Sequence, residues 1–249
     1  PSRDFYIAAS DEFEVISQKI GETTVNSYSL PGLEEGSAVA LSTAVNAIKA
    51  YNEYIGTYPY TEFDVVSTPM QGAYGIEYPG IVGINYSLYE SGAKLNGQSA
   101  TSYLESTVAH ETGHQWFYSI VGDDQINEPW LDESMTQYIT ALYFMDRYGA
   151  GGFDNYKETW YYRWDRVNRL EKPIGLPAGS YEGYEYSGIV YGRGPIFIYE
   201  LSKVMGEDTF DRFLMDYFQK YKWSIATTDG YKELAEKECD CDLTDMFNE

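Results

Sequence analysis

The sequence predicts an α+β fold, with a small N-terminal sheet followed by a mainly helical body. Apolar and polar residues alternate over residues 4–30, which is the pattern of half-buried strands. Beyond about residue 102, apolar residues recur instead at helical spacing between glycines. The hydrophobic content of 43% is high enough for a packed core, because disordered chains have too few apolar groups to fold.

The alternating segment at the N-terminus predicts two or three strands that end at the turn LPG at 30–32. From Ser37 the apolar residues change to a helical spacing that continues to Ile55. Gly56 follows this run, and glycine commonly caps the C-terminal end of a helix. We therefore expect one helix directly after the first strands.

Two further strands are predicted around a glycine-rich loop. The stretches EFDVVST at 62–68 and GIVGINYSL at 80–88 contain several β-branched residues, which favour strands. Between them, PMQGAYGIEYPG at 69–80 combines glycine with proline, which predicts a loop. These segments complete the β-rich first part of the chain.

Helices dominate the remainder of the predicted structure. Ser102 and Glu105 form a capping-box pattern, which predicts a helix from there to about Val121. A second helix is predicted over residues 130–148, before a glycine. Further helices are predicted at 194–205, 208–222 and 230–238.

The net charge is strongly negative, because 39 acidic residues outnumber 17 basic ones to give −22. Such a surface repels nucleic acids and anionic lipids, so neither is expected as a partner. The same field raises the local concentration of cations, including the ammonium group of a peptide. No run of 18 or more apolar residues occurs, so the sequence predicts no membrane-spanning segment.

The two cysteines, Cys239 and Cys241, are separated by one residue in CDCD. This separation predicts no ordinary disulfide, and two thiols are too few for a structural zinc site. The redox compartment therefore stays open. The many tyrosines and the acidic surface are compatible with an extracellular or cell-surface location, which the sequence does not decide.

Both histidines of the chain lie in HETGHQW, where His110 and His114 are four residues apart. On a helix, residues at i and i+4 project from one face, so the two imidazoles can reach one tetrahedral ion. Zinc is the usual occupant of such a site. Glu111 faces the same cleft without being a ligand, and it can take a proton from a zinc-bound water and pass it to a leaving amine.

A catalytic zinc needs a third protein ligand and an open fourth position. Glu133 follows His114 after 18 intervening residues, on the next predicted helix. The connection at 122–129 lets that helix fold back antiparallel, which would bring Glu133 towards the two histidines. His110, His114 and Glu133 are therefore the predicted ligands of one zinc ion per chain. A pair of buried structural histidines is the alternative that the residues leave open.

The ordered segments HETGHQW and NEPWLDESMTQY resemble the zinc aminopeptidases of the aminopeptidase N and leukotriene hydrolase family, which are gluzincins. The family signature is H-E-x-x-H-(x)18-E, followed by a helix that often reads W-L-x-E-G. Two more segments are similar to family motifs in the expected order. GIEYPG at 75–80 resembles the G-x-M-E-N exopeptidase loop, and YSGIVYGRG at 186–194 resembles the Tyr-x-Lys-Gly segment. The resemblance covers most of residues 5–249.

The resemblance implies a role for each matching residue, and it assigns the zinc ligands and the general base to the four residues already named. Tyr191 would donate its hydroxyl to the oxyanion that forms at the scissile carbonyl. Glu77 would bind the free α-ammonium group of the substrate, so that only the first peptide bond reaches the zinc.

Several positions depart from the family motifs, although Glu77 is kept. Ile76 replaces the usual methionine, and Tyr78 with Pro79 replaces the usual asparagine. Ser134 stands where the family commonly has glycine, and Arg193 stands where it commonly has lysine. The lysine-to-arginine change keeps the charge but alters its geometry. These departures bear on exopeptidase specificity more than on zinc hydrolysis.

In the same family, a β-rich domain precedes the catalytic domain and a long helical domain often follows it. By this resemblance, residues 1–30 are the last strands of the preceding β-rich domain. Residues 31–249 are then a thermolysin-like zinc peptidase catalytic domain. The flanking domains of a full-length protein would lie outside this sequence.

The predicted function is zinc-dependent hydrolysis of the N-terminal peptide bond of peptides that have a free N-terminus. Within the hydrolases, a thermolysin-type endopeptidase and an epoxide hydrolase are the alternatives. A zinc-binding module with little catalysis is the alternative from a different class. The retained Glu111 argues against this module, because a structural site needs ligands but no base.

Overall fold

A computed structural model describes residues 2–95 and 97–248 of the chain. It divides into two compact units, the first made of Pro1–Asn52 with Thr57–Gln115 and the second of Glu53–Gly56 with Trp116–Glu249. The first unit contains the larger sheet and two long helices, and the second is mainly helical. The predicted α+β class, a small N-terminal sheet followed by a helical body, is confirmed.

The sheet of the first unit has five strands in the order β1-β2-β3-β5-β4. Strands β2, β3 and β5 run parallel, while β1 and β4 are antiparallel to their neighbours. The parallel central strands carry the buried Val25, Phe63 and Val82. The strands are β1 Glu14–Ile20, β2 Thr23–Ser29, β3 Glu62–Thr68, β4 Gly75–Tyr78 and β5 Ile81–Asn85.

The predictions for these strands are confirmed in part. Residues 4–30 contain two strands, and EFDVVST is a strand over its full length. The prediction of a loop throughout 69–80 is wrong, because Gly80 at φ +80° reverses the chain and lets β4 pair with β5. The predicted strand 80–88 ends early at Asn85, whose side chain accepts a hydrogen bond from the Ser87 N–H and starts a 3-10 turn.

Two helices belong to the first unit. Helix α1 is Glu34–Tyr54 and matches the predicted helix, and Gly56 after it has a positive φ of 148°. A short hairpin, β6 Lys94–Leu95 with β7 Gln98–Ser99, precedes helix α2, Ala100–Gly113. The Tyr51 hydroxyl donates to the Ala109 carbonyl at 2.9 Å and so joins α1 to α2.

The predicted bounds of the second helix are wrong at both ends. Ser99, not Ser102, is the N-cap, since its hydroxyl accepts from the Thr101 N–H at 3.3 Å. The helix ends at Gly113 instead of continuing to Val121. Glycine is a poor helix former, and Tyr118 beyond it adopts a positive φ of 113° that no helix accommodates.

Among the described residues, the second unit contains seven α-helices, one 3-10 turn, one π-helical turn and one short strand pair. The predicted helices 130–148 and 194–205 are confirmed at their bounds, and the helices predicted at 208–222 and 230–238 are confirmed within two residues of theirs. Helix α4 has no counterpart in the prediction. The elements are β8 Val121–Gly122, α3 Trp130–Tyr148, α4 Ala150–Asp165, α5 Glu185–Gly188, α6 Gly194–Met205, α7 Glu207–Tyr221, β9 Ser224–Ile225, α8 Thr228–Cys239 and α9 Thr244–Phe247.

Aromatic side chains form the core of this unit. Trp130, Phe213 and Tyr217 each place their ring centroid within 5.1 Å of the Tyr231 ring, at tilted or edge-on angles that aromatic pairs favour. Trp160 of α4 is fully buried and also packs in the core.

The prediction of no disulfide between the cysteines is wrong. Cys239 ends α8 and forms a disulfide with Cys241. Asp240 between them adopts a left-handed conformation with φ 50°, which turns the chain and brings the two Cα atoms to 5.2 Å. This distance is ordinary for a disulfide, so the turn supplies what the spacing alone does not.

Two predictions concern the chain as a whole. Over residues 2–95 and 97–248, no helix has the length and apolar character needed to cross a membrane. Strands β1 and β2 lie in one sheet with β3 and β5, and the assignment of residues 1–30 to a preceding domain stays a prediction.

Candidate metal centre and the residues around it

The C-terminal turn of α2 brings the two histidines together. His110 lies in the last turn of α2, and the His114 N–H donates to its carbonyl at 3.3 Å, so the helical geometry continues one residue past Gly113. The two Nε2 atoms are 3.1 Å apart, and the rings meet edge-on with centroids at 4.6 Å. The side chains of His110 and His114 are both buried.

This arrangement of imidazoles fits a metal ion. Two neutral imidazoles that turn their Nε2 lone pairs towards one point can share a cation, and nitrogen ligands suit zinc. The pair therefore has the chemistry of a metal site, and the assignment of these residues as ligands stays a prediction.

Glu111 lies beside this pair and faces strand β4. Its side chain is only 6% exposed, and it occupies the space next to Gly75. A Cβ atom added to Gly75 would overlap Glu111 Oε1 and lie 2.6 Å from its Cδ atom. Glycine at this position therefore makes room for the carboxylate.

Glu77 lies two residues along β4 from Gly75, and residues two apart on a strand point to the same face. One ligand atom each from Glu77, Glu111 and His114 lies within 4.8 Å of the others. Two carboxylates and an imidazole thus converge within the first unit. Carboxylates at this spacing attract a cationic group and hold it in place.

Gln115 holds β4 in this position, and the sequence analysis did not identify it. Its side-chain amide donates to the Tyr78 carbonyl at 2.9 Å, and its Oε1 accepts from the Gly80 N–H at 2.8 Å. Gln115 is fully buried and directly follows His114. A polar residue next to a metal-ligand motif is the signal that could have found it.

Tyr78, which stands where the family motif has asparagine, is part of the same strand. Its ring stacks on the Tyr6 ring with centroids 4.8 Å apart and planes 9° from parallel. Burial, with a smaller contribution from Asp4, raises the pKa of the Tyr78 phenol. Tyr78 therefore stays neutral beside Glu77 at physiological pH.

Glu133 is in the first turn of α3, in the second unit, where its N–H donates to the Pro129 carbonyl at 3.0 Å. The start of α3 is anchored from α8. The Thr228 N–H donates to Glu128 Oε1 at 2.8 Å, and Trp130 Nε1 donates to the Thr228 hydroxyl at 2.9 Å. These two bonds fix the turn that carries Glu133.

Tyr191 lies in a π-helical turn, Ile189–Arg193, between α5 and α6. Such turns interrupt helices and are frequent at functional sites. The Tyr191 ring meets the Tyr186 ring at 5.8 Å. Arg193 in the same turn donates from Nη1 to the Lys172 carbonyl at 2.6 Å, so its guanidinium holds a neighbouring loop.

Helix α4 packs closely against this π-helical turn. A Cβ on Gly192 would lie 2.9 Å from the Trp160 carbonyl oxygen, and a Cβ on Gly188 would overlap Val167. The absence of side chains at both positions permits the close approach. Arg163 of α4 then reaches over the Tyr191 ring, with its Cζ atom 5.6 Å from the centroid.

Among the described residues of the first unit, Glu77, Glu111 and His114 form one candidate metal-binding group. Glu133, the third predicted ligand, belongs to the second unit, and its role as a ligand stays a prediction. Nitrogen and carboxylate donors of this kind are typical of zinc peptidases. The catalytic roles of Glu111, Glu77 and Tyr191 stay predictions.

Comparison with known proteins gives a family match over most of the chain. Residues 39–249 match the model of the peptidase family M1 domain. Aminopeptidase 2 of Candida albicans is 24% identical over 241 residues, which cover 90% of this chain and 25% of that protein. Endoplasmic reticulum aminopeptidase 2 of Homo sapiens is 22% identical over 210 residues, which cover 82% of this chain and 22% of that protein.

A solved structure shares the fold. The M1 zinc metallopeptidase from Deinococcus radiodurans superposes with a TM-score of 0.71 at 18% identity, over 95% of this chain and 50% of that one. The chain spans about a quarter of the length of the two curated relatives. Zinc is the metal that this family and its structural neighbours imply, and the donor set described above fits it.

Proposed function

Because the chain belongs to peptidase family M1, we propose that it is the catalytic part of a zinc aminopeptidase, which removes residues from the N-terminus of peptides. The observation that carries the proposal is the convergence of Glu77, Glu111 and His114 within 4.8 Å. It puts a carboxylate able to bind an ammonium group beside a carboxylate able to act as a base. The relatives named aminopeptidase support the same activity.

His110, His114 and Glu133 are the proposed zinc ligands. When bound, zinc would act as a Lewis acid that polarises the scissile carbonyl and lowers the pKa of a water. The buried imidazole pair and the H-E-x-x-H-(x)18-E spacing support this assignment. The two hydrogen bonds of Thr228 hold the helix start that carries Glu133.

Glu111 is the proposed general base and acid. Its carboxylate would take a proton from the attacking water and later deliver it to the leaving amine. Gly75 leaves the space that this carboxylate occupies, so its position is set by strand β4 as well as by α2. Such a proton transfer contributes roughly 100- to 10,000-fold to the rate of hydrolysis.

Glu77 is the proposed site for the α-ammonium group of the substrate. An ion pair there would orient the peptide so that its first peptide bond is the one that reacts. The net charge of −22 also attracts a cationic N-terminus. Peptides with a free N-terminus are therefore the proposed substrates.

Tyr191 is the proposed donor to the oxyanion. A phenol held in a fixed place can stabilise the negative charge that develops on the carbonyl oxygen. Its setting supports this role, because the ring is packed against Tyr186 and lies under Arg163 in a π-helical turn.

The relation to a longer protein is part of the proposal. The family match begins at residue 39, and the curated relatives are about four times as long as the matched part. We propose that residues 31–249 are the catalytic domain and that flanking domains occur in the full-length protein. An extracellular or cell-surface location agrees with the acidic, tyrosine-rich composition.

Substitution of Glu77 tests the exopeptidase assignment. We expect Glu77→Gln to raise KM for unblocked aminoacyl substrates by roughly 30-fold or more, since a desolvated ion pair is lost. Zinc content, measured by elemental analysis, should remain one ion per chain. Glu90→Gln, which removes an exposed carboxylate of the same unit, is the control and should change neither quantity.

N-terminally blocked peptides separate the alternatives. An aminopeptidase should leave them intact, whereas a thermolysin-type endopeptidase should cleave them. Cleavage of blocked and unblocked peptides at equal rates, with no effect of Glu77→Gln, would contradict the proposal. Stoichiometric zinc without any cleavage would favour a binding module instead.

A further inference from the structure

We infer that Ser134 is a positioning residue that fixes the π-helical turn carrying Tyr191 to the helix turn carrying Glu133. The inference rests on the proposed function. Ser134 is fully buried, and its hydroxyl donates to the Val190 carbonyl at 2.6 Å, across 56 residues of sequence. Ser134 follows Glu133, and Tyr191 follows Val190. One hydrogen bond therefore joins the immediate neighbours of both proposed site residues.

The Val190 carbonyl needs this donor because of the π-helical turn. In an α-helix it would accept the N–H of the residue four positions later, Gly194. In this structure the Gly194 N–H instead donates to the carbonyl of Ile189, the residue before Val190, because a π-helical bond spans five residues and not four. The next residue, Pro195, has no N–H to offer. The hydroxyl of Ser134 satisfies a carbonyl that neither of these two backbone positions serves.

Gly194 lies directly against the Ser134 side chain and leaves space for it. A Cβ on Gly194 would overlap Ser134 Oγ and lie 2.8 Å from Ser134 Cβ. Glycine at 194 therefore admits the hydroxyl, and the hydroxyl in turn fills the space that glycine leaves. Ser134 and Gly194 are complementary in shape as well as linked through the turn.

The hydrogen bond of Ser134 therefore affects the position of the π-helical turn. Leaving a buried carbonyl without a donor is costly, so removal of the hydroxyl lets the π-helical turn shift to find another partner. A displacement of about 1 Å in a catalytic group is enough to lower a rate by roughly 100-fold, and a partial shift costs less.

The test is a double-substitution cycle in the zinc-loaded enzyme. We expect Ser134→Ala to lower kcat by about 10-fold while KM changes by less than about 2-fold, because substrate binding does not use Tyr191. Zinc should remain one ion per chain. In a Tyr191→Phe background, Ser134→Ala should cause no further loss of kcat, since the group that it positions is already gone.

Ser202→Ala is the matched control. Ser202 is also buried in the second unit, and its hydroxyl donates to the Tyr199 carbonyl at 2.7 Å. It should lower Tm by a similar amount and leave kcat unchanged. If Ser134→Ala does not fold, the cycle is run with Ser134→Gly, which carries the residue common in the family.

The outcomes separate the inference from the function on which it rests. Parental kcat for the Ser134 variant, or equal losses in the parental and Tyr191→Phe backgrounds, would overturn the inference while the aminopeptidase assignment stands. Parental kcat for Tyr191→Phe would overturn the proposed role of Tyr191 and with it the inference. The inference is supported if Ser134→Ala lowers kcat in the enzyme that has Tyr191 and not in the Tyr191→Phe variant.

Discussion

The histidine turn of α2 and the π-helical turn Ile189–Arg193 each carry a proposed part of the chemistry, and they are built in different ways. In the histidine turn, the regular helix itself sets the side-chain geometry, and the two Nε2 atoms come within 3.1 Å. In the π-helical turn, the helix is interrupted, and contacts from α3 and α4 replace the missing regularity. The first region depends on local spacing and the second on distant residues.

This difference has a consequence for robustness. A regular helix end tolerates changes in distant residues, because its backbone bonds fix the spacing. A π-helical turn keeps its form only while the surrounding contacts hold it. We therefore expect a substitution close to α2 to disturb catalysis when the new side chain directly contacts a catalytic residue. A substitution around the π-helical turn should instead act by shifting the turn that carries Tyr191.

The largest effect is expected for Gly75→Ala, which acts on the first region by contact. The added Cβ would overlap Glu111 Oε1 and lie 2.6 Å from both Cδ and Cγ, so the buried Glu111 side chain has to shift. We therefore expect kcat to fall by about 100-fold, as for a displaced base, with a change in Tm of only a few degrees. Steady-state kinetics and thermal unfolding measure the two quantities.

Gly151→Ala is the control for that substitution. A Cβ at Gly151 meets no atom within 4 Å, so the same chemical change there should leave kcat unaltered. A Gly75→Ala variant with parental kcat would show that Glu111 does not need its present position. The expectation that substitutions near α2 act by direct contact with a catalytic residue would then be contradicted.

A smaller effect is expected for Arg163→Met, which acts on the second region by displacement. The substitution removes the guanidinium above the Tyr191 ring and keeps much of the side-chain length. A cation–π contact of about 1 kcal/mol corresponds to roughly 5-fold in kcat, and Arg163→Lys should recover part of it. KM and zinc content should stay at parental values.

Arg166→Met provides the comparison for Arg163→Met. Arg166 lies on the helix cap after α4, with its Cζ atom 4.5 Å from the centroid of the Tyr184 ring. Its loss removes a similar contact from a tyrosine that has no proposed catalytic role. Equal losses of kcat in both variants would indicate a general effect of α4 and not a specific one on Tyr191.

The smallest effect is expected for Pro195→Ala in a Ser134→Ala background. The new N–H at 195 lies at the position from which a π-helical bond to the Val190 carbonyl would come. The double variant should have a kcat about 3-fold higher than that of Ser134→Ala, because the new N–H donates to the Val190 carbonyl from within the turn. A double variant that is no faster than Ser134→Ala would show that the missing backbone donor is not what makes the turn depend on serine.

The regular part of the fold and the histidine turn could be predicted from the sequence, because they depend on local periodicity. Helix α3 and helix α6 were predicted at their bounds from apolar spacing and flanking glycines. His110 and His114 needed only the 3.6-residue repeat. The interpretation of these two histidines as metal ligands therefore depends on short-range information, whereas the assignment of Glu133 does not.

The remaining features depend on contacts between distant residues. Strand β4 was missed because its pairing partner, and not its own composition, makes it a strand. The disulfide was missed because it needs the left-handed conformation of Asp240, which spacing does not reveal. The π-helical turn was missed because Ser134 is 56 residues away from the carbonyl that it serves.

The fit between Ser134 and Gly194 also restricts the order in which this chain can evolve. A side chain at 194 cannot be accepted while serine occupies 134, because the two would occupy the same space. Serine must be lost first, and at that step the Val190 carbonyl has no donor unless Pro195 has already been replaced. The three positions can therefore change only along a few mutational paths, and a lineage that has acquired serine at 134 will tend to retain it.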